Sequence, residues 1–404
     1  MDTHQTFSRY SLAGLGATLI GNGIGRFAYI ALMPALIQAG WFTESQASYL
    51  GAATLIGYIF GVPAISVLTR YFAAGFLIRA AMLVSGMSYI GCASETAPLA
   101  WFYLLRTLAG VAGAILIILA PPMMIRLHRA EIKAKVSGVI FSGIGVGALL
   151  SGTLVPVLIY FNLASAWFGM GAITLVTTVL TWNVWKENDK QQSYGVVAGS
   201  FHNLSKMQRM TFALILLAYS LDAVGYLPHT MFWVDYVVRE LDMPFSAGGL
   251  LWASFGLGAM LGPILAGTMG DRFGVRRSLV VSYLLKGFGV ALPLLSHHPL
   301  SLFLSALLVG IFTPGTVSLV SIYTLESVDY ELHTKAWGAA TMAFALAQGV
   351  IGYGMAHFAP ILGSYLPLFA LSACALVVSA SLIAISKQPT SDYSEGRTAI
   401  QTKD

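Results

Sequence analysis

Residues 267–277 read GTMGDRFGVRR, an acid and three arginines crowded between two stretches that carry almost no charge. Upstream, residues 246–270 hold no charged side chain, and downstream, residues 278–295 hold only Lys286. Runs of eighteen or more apolar residues cross about 30 Å of hydrocarbon as helices. The charged stretch therefore reads as a tight turn between two membrane spans. Gly274 permits that turn, and Arg272, Arg276 and Arg277 hold it at the aqueous surface. Asp271 is placed to pair with an arginine or to accept hydrogen bonds from a helix N-terminus.

The same pattern recurs over the chain. Of 404 residues, 57% are hydrophobic and 10% charged, against about 25% charged in a soluble domain. Uncharged runs bounded by charges or Gly, Pro and Asn give twelve spans: 11–38, 46–69, 74–93, 97–120, 135–160, 165–185, 210–235, 246–270, 278–295, 300–324, 336–357 and 362–386. The first continues directly into the polytopic pattern and is read as a span, not a cleaved signal. Cys92 and Cys374 both lie in apolar runs and suggest neither a disulfide framework nor a metal cluster. A basic pI between membrane spans is an orientation signal, so nucleic acid is not expected as a partner.

Charge distribution tests the count. With the N-terminus in the cytoplasm, eighteen of the 22 lysines and arginines fall in inside segments and only Arg239 outside, with Arg26, Arg106 and Lys286 within spans. Retention of positive charge on the cytoplasmic side predicts that both termini lie there. The sequon at Asn203 then faces the cytoplasm, where glycosylation is not expected. The longest polar segment, 186–209, separates an N-terminal six-helix bundle (1–185) from a C-terminal one with a short tail (210–404).

The two halves repeat. A shift of 201 aligns Ser45 with Ser246, Gly57 with Gly258, Gly61 with Gly262 and Phe72 with Phe273; a shift of 200 aligns Gly110 with Gly310, Lys135 with Lys335, Gly138 with Gly338 and Gly152 with Gly352. Parallel six-helix repeats with a solute site between them at mid-membrane are a transporter architecture.

GTMGDRFGVRR has the spacing of the loop between the second and third helices of each half in the major facilitator superfamily. The chain resembles that superfamily from about residue 11 to 386. The resemblance implies an all-α membrane protein of twelve helices in two pseudo-symmetric bundles. It also implies a latch of Asp271, Arg272, Gly274, Arg276 and Arg277 that holds an outward-open state. The first-half counterpart, SVLTRYFAAGFLIR (66–79), has Arg70 in the place of Asp271, which rewires any latch there. LLRTLAGVAG (104–113) resembles the superfamily's Arg-x-x-x-Gly pattern, whose arginine is linked to solute or proton. SGIGVGALLSG (142–152) resembles a fifth-span motif of antiporters, with Ala148 where proline is usual, and its glycines equally suit close helix packing. With GIGRFAY (23–29), these motifs look like the YbfB/YjiJ branch, which leaves the cargo open.

Charges inside spans normally face protein or a water-filled cavity. At 3.6 residues per turn, Thr18, Asn22, Arg26, Tyr29 and Met33 form one stripe of the first helix, and Asp222, Tyr226, His229 and Trp233 its counterpart in the seventh. Arg26 and Arg106 fall at similar depth, and two guanidiniums suit a carboxylate or phosphate. Asn22, Arg26, Tyr29, Arg106, Tyr226, His229 and Trp233 are thus the candidate solute contacts. The alternative is that the arginines cap helices or pair with Asp222. Asp222 is the candidate proton site, a fixed salt bridge being its alternative. Lys286 reads as a scaffold or snorkelling residue, and Asp235, Glu326 and His357 as caps or water-facing groups near span ends.

The expectation is a monomeric secondary transporter of a small organic solute, with an anion as one candidate, in the cell inner (cytoplasmic) membrane. Proton coupling and alternating access are expected, with export slightly favoured by the fifth-span glycines. A proton-coupled importer and a non-transporting solute sensor are the alternatives. No nucleotide loop, metal-ligand spacing or nucleophile turn is present in the sequence, so neither an ATP-driven pump nor an enzyme is expected, and no cofactor.

Overall fold

The computed structural model describes residues 5–129, 132–187, 204–328 and 330–386. Most of the expected linker and the C-terminal tail, including Asn203, lie outside the described residues. Among the described residues, twelve helices are long and apolar enough to cross a membrane. We number them α1 (Arg9–Gln38), α2 (Glu44–Tyr71), α3 (Ala74–Gly91), α4 (Leu99–Arg126), α5 (Lys133–Phe161), α6 (Leu163–Glu187), α7 (206–240, in segments), α8 (Phe245–Phe273), α9 (Val275–Leu295), α10 (Pro299–Ser327), α11 (Tyr330–Leu362) and α12 (Leu366–Ile385).

Local chemistry sets the helix starts. Ser8 with Ser11, Thr43 with Gln46 and Ser205 with Gln208 form reciprocal capping boxes at α1, α2 and α7. The turns at Gly40, Gly274 and Gly363 use positive φ. Large apolar side chains such as Phe60, Leu180, Leu250 and Phe288 stand exposed on the outside of the bundle, as a lipid-facing surface requires.

The aligned glycines have a common task. A Cβ on Gly57 or Gly110 would overlap a backbone carbonyl of the facing helix, Thr107 O or Thr54 O. Gly258 and Gly310 stand in the same relation to Leu307 O and Phe255 O. Each half thus crosses its second and fourth helices backbone to backbone. The glycines of α5 work on two sides: Gly143 and Gly147 lie against α1 at Leu15 and Gly23, while Gly145 and Gly152 lie against α8 at Gly256 and Gly249. Close packing accounts for that motif, so it carries no argument about direction of flux.

The halves meet chiefly where α5 lies on α8 and α2 on α11. They are also joined at the end where α1 turns into α2. There Arg239 of α7 reaches Glu44 of α2 at 3.3 Å, and Tyr49 shares a hydrogen bond of 2.8 Å with His357 of α11. Arg239 is held in place by a two-pronged contact to Asp235, at 2.7 and 2.8 Å. The Asp235 carboxylate also accepts from the Tyr365 hydroxyl at 2.5 Å. Asp235 is fully buried, so its expected water-facing role is corrected: the arginine that neutralises it is four residues along the same helix.

Candidate solute site between the two halves

Both helices that were expected to line a cavity are broken. In α1, Arg9–Thr18 gives way to a π-helical turn, Leu19–Ile24, before regular helix resumes at Ala28. Gly25 N–H reaches Ile20 O and Phe27 N–H reaches Asn22 O. A Cβ on Gly25 would lie 2.6 Å from Ile20 O, so only glycine fits there. α7 runs Lys206–Gly225, then Leu227–Met231, Trp233–Asp235 and a second π turn, Tyr236–Glu240. π turns concentrate at functional sites.

Arg26 sits at the break in α1 and reaches across to the other half. Its Nη1 donates to Tyr226 Oη at 3.3 Å and its Nη2 to Thr230 Oγ1 at 3.2 Å. Beside it lies a pocket lined by Asn22, Arg26, Thr54, Tyr58 and Gln348 over a floor of small residues that includes Gly21, Gly110 and Gly113. None of the lining residues is acidic. Its free space is about 10 Å³ for the centre of a water-sized sphere, room for about one water. Any organic solute therefore requires the halves to part.

The continuous stripe expected on α1 does not survive the π turn. Each such turn takes in about one extra residue and rotates the rest of the helix by about 100°. Asn22 and Arg26 face the pocket, whereas Tyr29 turns into its own half, donating to Ala47 O at 2.8 Å and packing against Trp167. His229, which the repeat aligns with Tyr29, does the same. It bonds Ser305 at 2.8 Å, stacks on Trp233 at 4.4 Å and meets the edge of Phe369. Trp233 is buried in that stack.

Arg106 does not converge with Arg26 on the pocket. It is 1% exposed, and its guanidinium carbon lies 4.9 Å from the Tyr29 ring centroid and 5.3 Å from that of Tyr89. Two ring faces meet its charge inside the N-terminal half.

Asp222 pairs with Lys286, not with an arginine. Lys286 Nζ donates to Oδ1 at 2.8 Å, and Thr316 Oγ1 donates to Oδ2 at 3.1 Å. Both members are at most 1% exposed, so the snorkelling reading of Lys286 is corrected: a buried ammonium beside a carboxylate has no reason to seek the surface. Tyr226 joins this pair to the pocket. Its ring lies 4.8 Å from Lys286 Nζ and 5.6 Å from Arg26 Cζ, and its hydroxyl accepts from both Arg26 and Gln348. Thr54, Tyr58, Thr230 and Gln348 were not singled out in the sequence. Gln348 alone carried a legible signal, a lone amide in an apolar run.

At the opposite end, Asp271 is exposed and, among the described residues, makes no ion pair. Arg276 donates instead to the carbonyls of Ile383 and Ala384 at the end of α12. Gly274 turns the chain at φ +83°, ψ 144°, a conformation nearly reserved for glycine. Gly274→Ala should therefore destabilise the protein by about 1–3 kcal/mol, read as a fall in melting temperature. Asp271→Asn should leave melting unchanged and reduce transport. Equal melting temperatures for the two variants would remove the conformational role of Gly274.

Twelve spanning helices in two repeated bundles, with a polar pocket at the break in the first helix, define a major facilitator transporter, a class of carriers and not of enzymes. Residues 18–384 match the family described as "Uncharacterised MFS-type transporter YbfB", and the chain belongs to that family. It is similar to a multi-drug resistance efflux pump PmrA homolog of Lactococcus lactis, with 27% identity over 255 residues, 59% of each chain. It is also similar to multidrug resistance protein 2 of Bacillus subtilis, with 24% identity over 41% of this chain and 42% of that one. The matched segments thus span less than two thirds of those relatives. Among solved structures, a D-xylose–proton symporter superposes with TM-score 0.72 at 16% identity, covering 93% of this chain and 97% of that one. The xylose transporter XylE from E. coli, partially occluded and inward-open, gives 0.73 at 16%, covering 96% and 99%. At that identity the likeness concerns the fold.

Proposed function

We propose that this protein carries a small organic anion across the cytoplasmic membrane by alternating access, coupled to protons through Asp222. The observation that carries the reading is Arg26: a permanent charge within the first membrane span, facing a pocket of hydroxyl and amide groups with no acid among them. In a low-dielectric setting such a charge favours an anion far more than it would in water. Arg26 also ties the closed halves together through Tyr226 and Thr230. An anion that takes over its hydrogen bonds frees the halves to move, which is how solute binding leads to exchange of access.

With both termini in the cytoplasm, the end sealed by Glu44, Arg239, Tyr49 and His357 is the external one, and the state described is closed to the outside. The disengaged Asp271 fits this, since the resembled latch belongs to the outward-open state. Reporter fusions near Gln192 and at the C-terminus should both be active only as cytoplasmic reporters. An external signal at either point removes the orientation and, with it, the assignment of the gate. One of the two bacterial relatives is named as an efflux pump and the other for multidrug resistance, which supports export as the second reading. Counterflow of a labelled organic anion in proteoliposomes tests the carrier itself: exchange supports it, and binding without exchange indicates a sensor.

A further inference from the structure

The Asp222–Lys286 pair lies one aromatic ring away from the pocket. Lys286 Nζ stands 4.8 Å from the centroid of Tyr226, whose hydroxyl is bonded to the two pocket residues Arg26 and Gln348. The N-terminal half has no such pair: position 22, aligned with Asp222, is Asn22, and positions 85 and 86, aligned with Lys286, are Ser85 and Gly86. Packing does not demand the pair at this point of the fold, since the repeat builds the same helices without it.

We propose that Lys286 is a second cation of the solute site, held by Asp222 in the state seen here and released when that carboxylate takes up a proton, so that a proton and an organic anion bind together. The proposal rests on the anion reading of Arg26. Its physical basis is charge balance. Arg26, Lys286 and Asp222 sum to one positive charge, and in a buried site a bare proton or a bare anion each changes that sum at high cost. Added together they leave it unchanged. The proton sits on a carboxylate oxygen of Asp222, Lys286 remains an ammonium, and its hydrogen bond passes from the carboxylate to the anion. Four methylenes and the face of Tyr226 give it the path.

No other charge competes at Asp222. Facing it are Lys286 and Tyr283 from α9, Thr316 from α10, and Tyr219 and Tyr226 from its own helix. From α11 and α12, the side chains that meet α7 on either side of Asp222 are uncharged: Trp337 and Phe344 against Tyr219, Gln348 on Tyr226, and Ser372 and Ser379 on the carbonyls of Val224 and Ala218. His229 is near enough to Lys286 to sense its charge but is bonded to Ser305. Because the linkage is reciprocal, anion and proton strengthen each other's binding and travel the same way, the reverse of proton-driven efflux.

Benzenesulfonate is a suitable probe, since it stays anionic at every working pH and any proton taken up belongs to the protein. In weakly buffered solution with an indicator dye, wild-type protein should take up about one proton per anion bound, with affinity rising as pH falls. Asp222→Asn should bind as tightly as acidified wild type, without proton uptake and without pH dependence. The double variant Asp222→Asn/Lys286→Gln keeps a neutral hydrogen-bonding pair in place. It should bind about tenfold more weakly than Asp222→Asn at every pH, the worth of one hydrogen bond to a charged group. Equal affinity of the single and double variants would overturn the role of Lys286, and wild-type binding without proton uptake would overturn the linkage; both leave the anion reading standing. If neither benzenesulfonate, benzoate nor phenyl phosphate binds wild type at any pH, the anion reading fails and this inference with it.

Discussion

Arg26→Lys should bind benzenesulfonate at least about tenfold more weakly than wild type and should lose counterflow of the same labelled anion, although the charge is kept. Arg26 does two things at once that an ammonium cannot. Its planar fork sends one nitrogen to Tyr226 and another to Thr230, 3.3 and 3.2 Å away on the opposite half. The same fork can present two parallel donors to a carboxylate or sulfonate. A lysine offers a point charge on a flexible stem, and one hydrogen bond to a charged group lost corresponds to about a factor of ten. Arg26→Ala should do no better. The decisive comparison is with Thr230→Val, which removes one contact between the halves but no charge: binding should survive there. If Arg26→Lys binds and exchanges as wild type does, the arginine serves only as a charge between the halves, and recognition of the anion lies elsewhere in the pocket.

The fold was open to inspection in the sequence because the membrane forces it. A chain with few charges must hide every backbone polar group in helices, and the loop arginines and lysines record which side each turn occupies. Span limits consequently agree with the helices to within a few residues over most of the chain, although α4 runs past its expected end at 120 to Arg126, α7 past 235 to Glu240, and α11 extends beyond 336–357 at both ends. The pocket was only half open to it. Asn22 falls within the irregular stretch of α1 and Arg26 at its end, before regular helix resumes at Ala28, and four residues apart they still share a face to which regular spacing points. Beyond that turn regular spacing misleads, and Tyr29 with its repeat partner His229 proved to face inward to their own halves. The partner of Lys286 is hidden from the sequence for a different reason: pairing across helices joins residues 64 positions apart, and no local pattern announces it. Glycine-rich stretches were legible as close packing but not as to which helix each one meets.

The helix that each glycine meets separates two repeat-aligned pairs that look alike in sequence. Gly110 and Gly310 each face a backbone carbonyl of the crossing helix, Thr54 O and Phe255 O, so an added side chain has nowhere to go unless two whole helices move apart. Gly138 and Gly338 occupy equally matched positions, yet a Cβ on Gly138 meets only Ile264 at 3.4 Å and one on Gly338 meets nothing within 4 Å. Gly110→Val and Gly310→Val should both fail to give folded protein, because overpacking costs about 1–3 kcal/mol even where side chains can yield, and here the obstacle is main chain. Gly338→Ala should be neutral or raise the melting temperature, since alanine is favoured over glycine in a helix by roughly 0.5–1 kcal/mol. Size-exclusion profiles of fluorescent fusions and melting curves in detergent read both outcomes. A monodisperse, wild-type-like Gly110→Val protein would mean that α2 and α4 do not cross backbone to backbone. The shared task assigned to the repeated glycines would then fall in the N-terminal half.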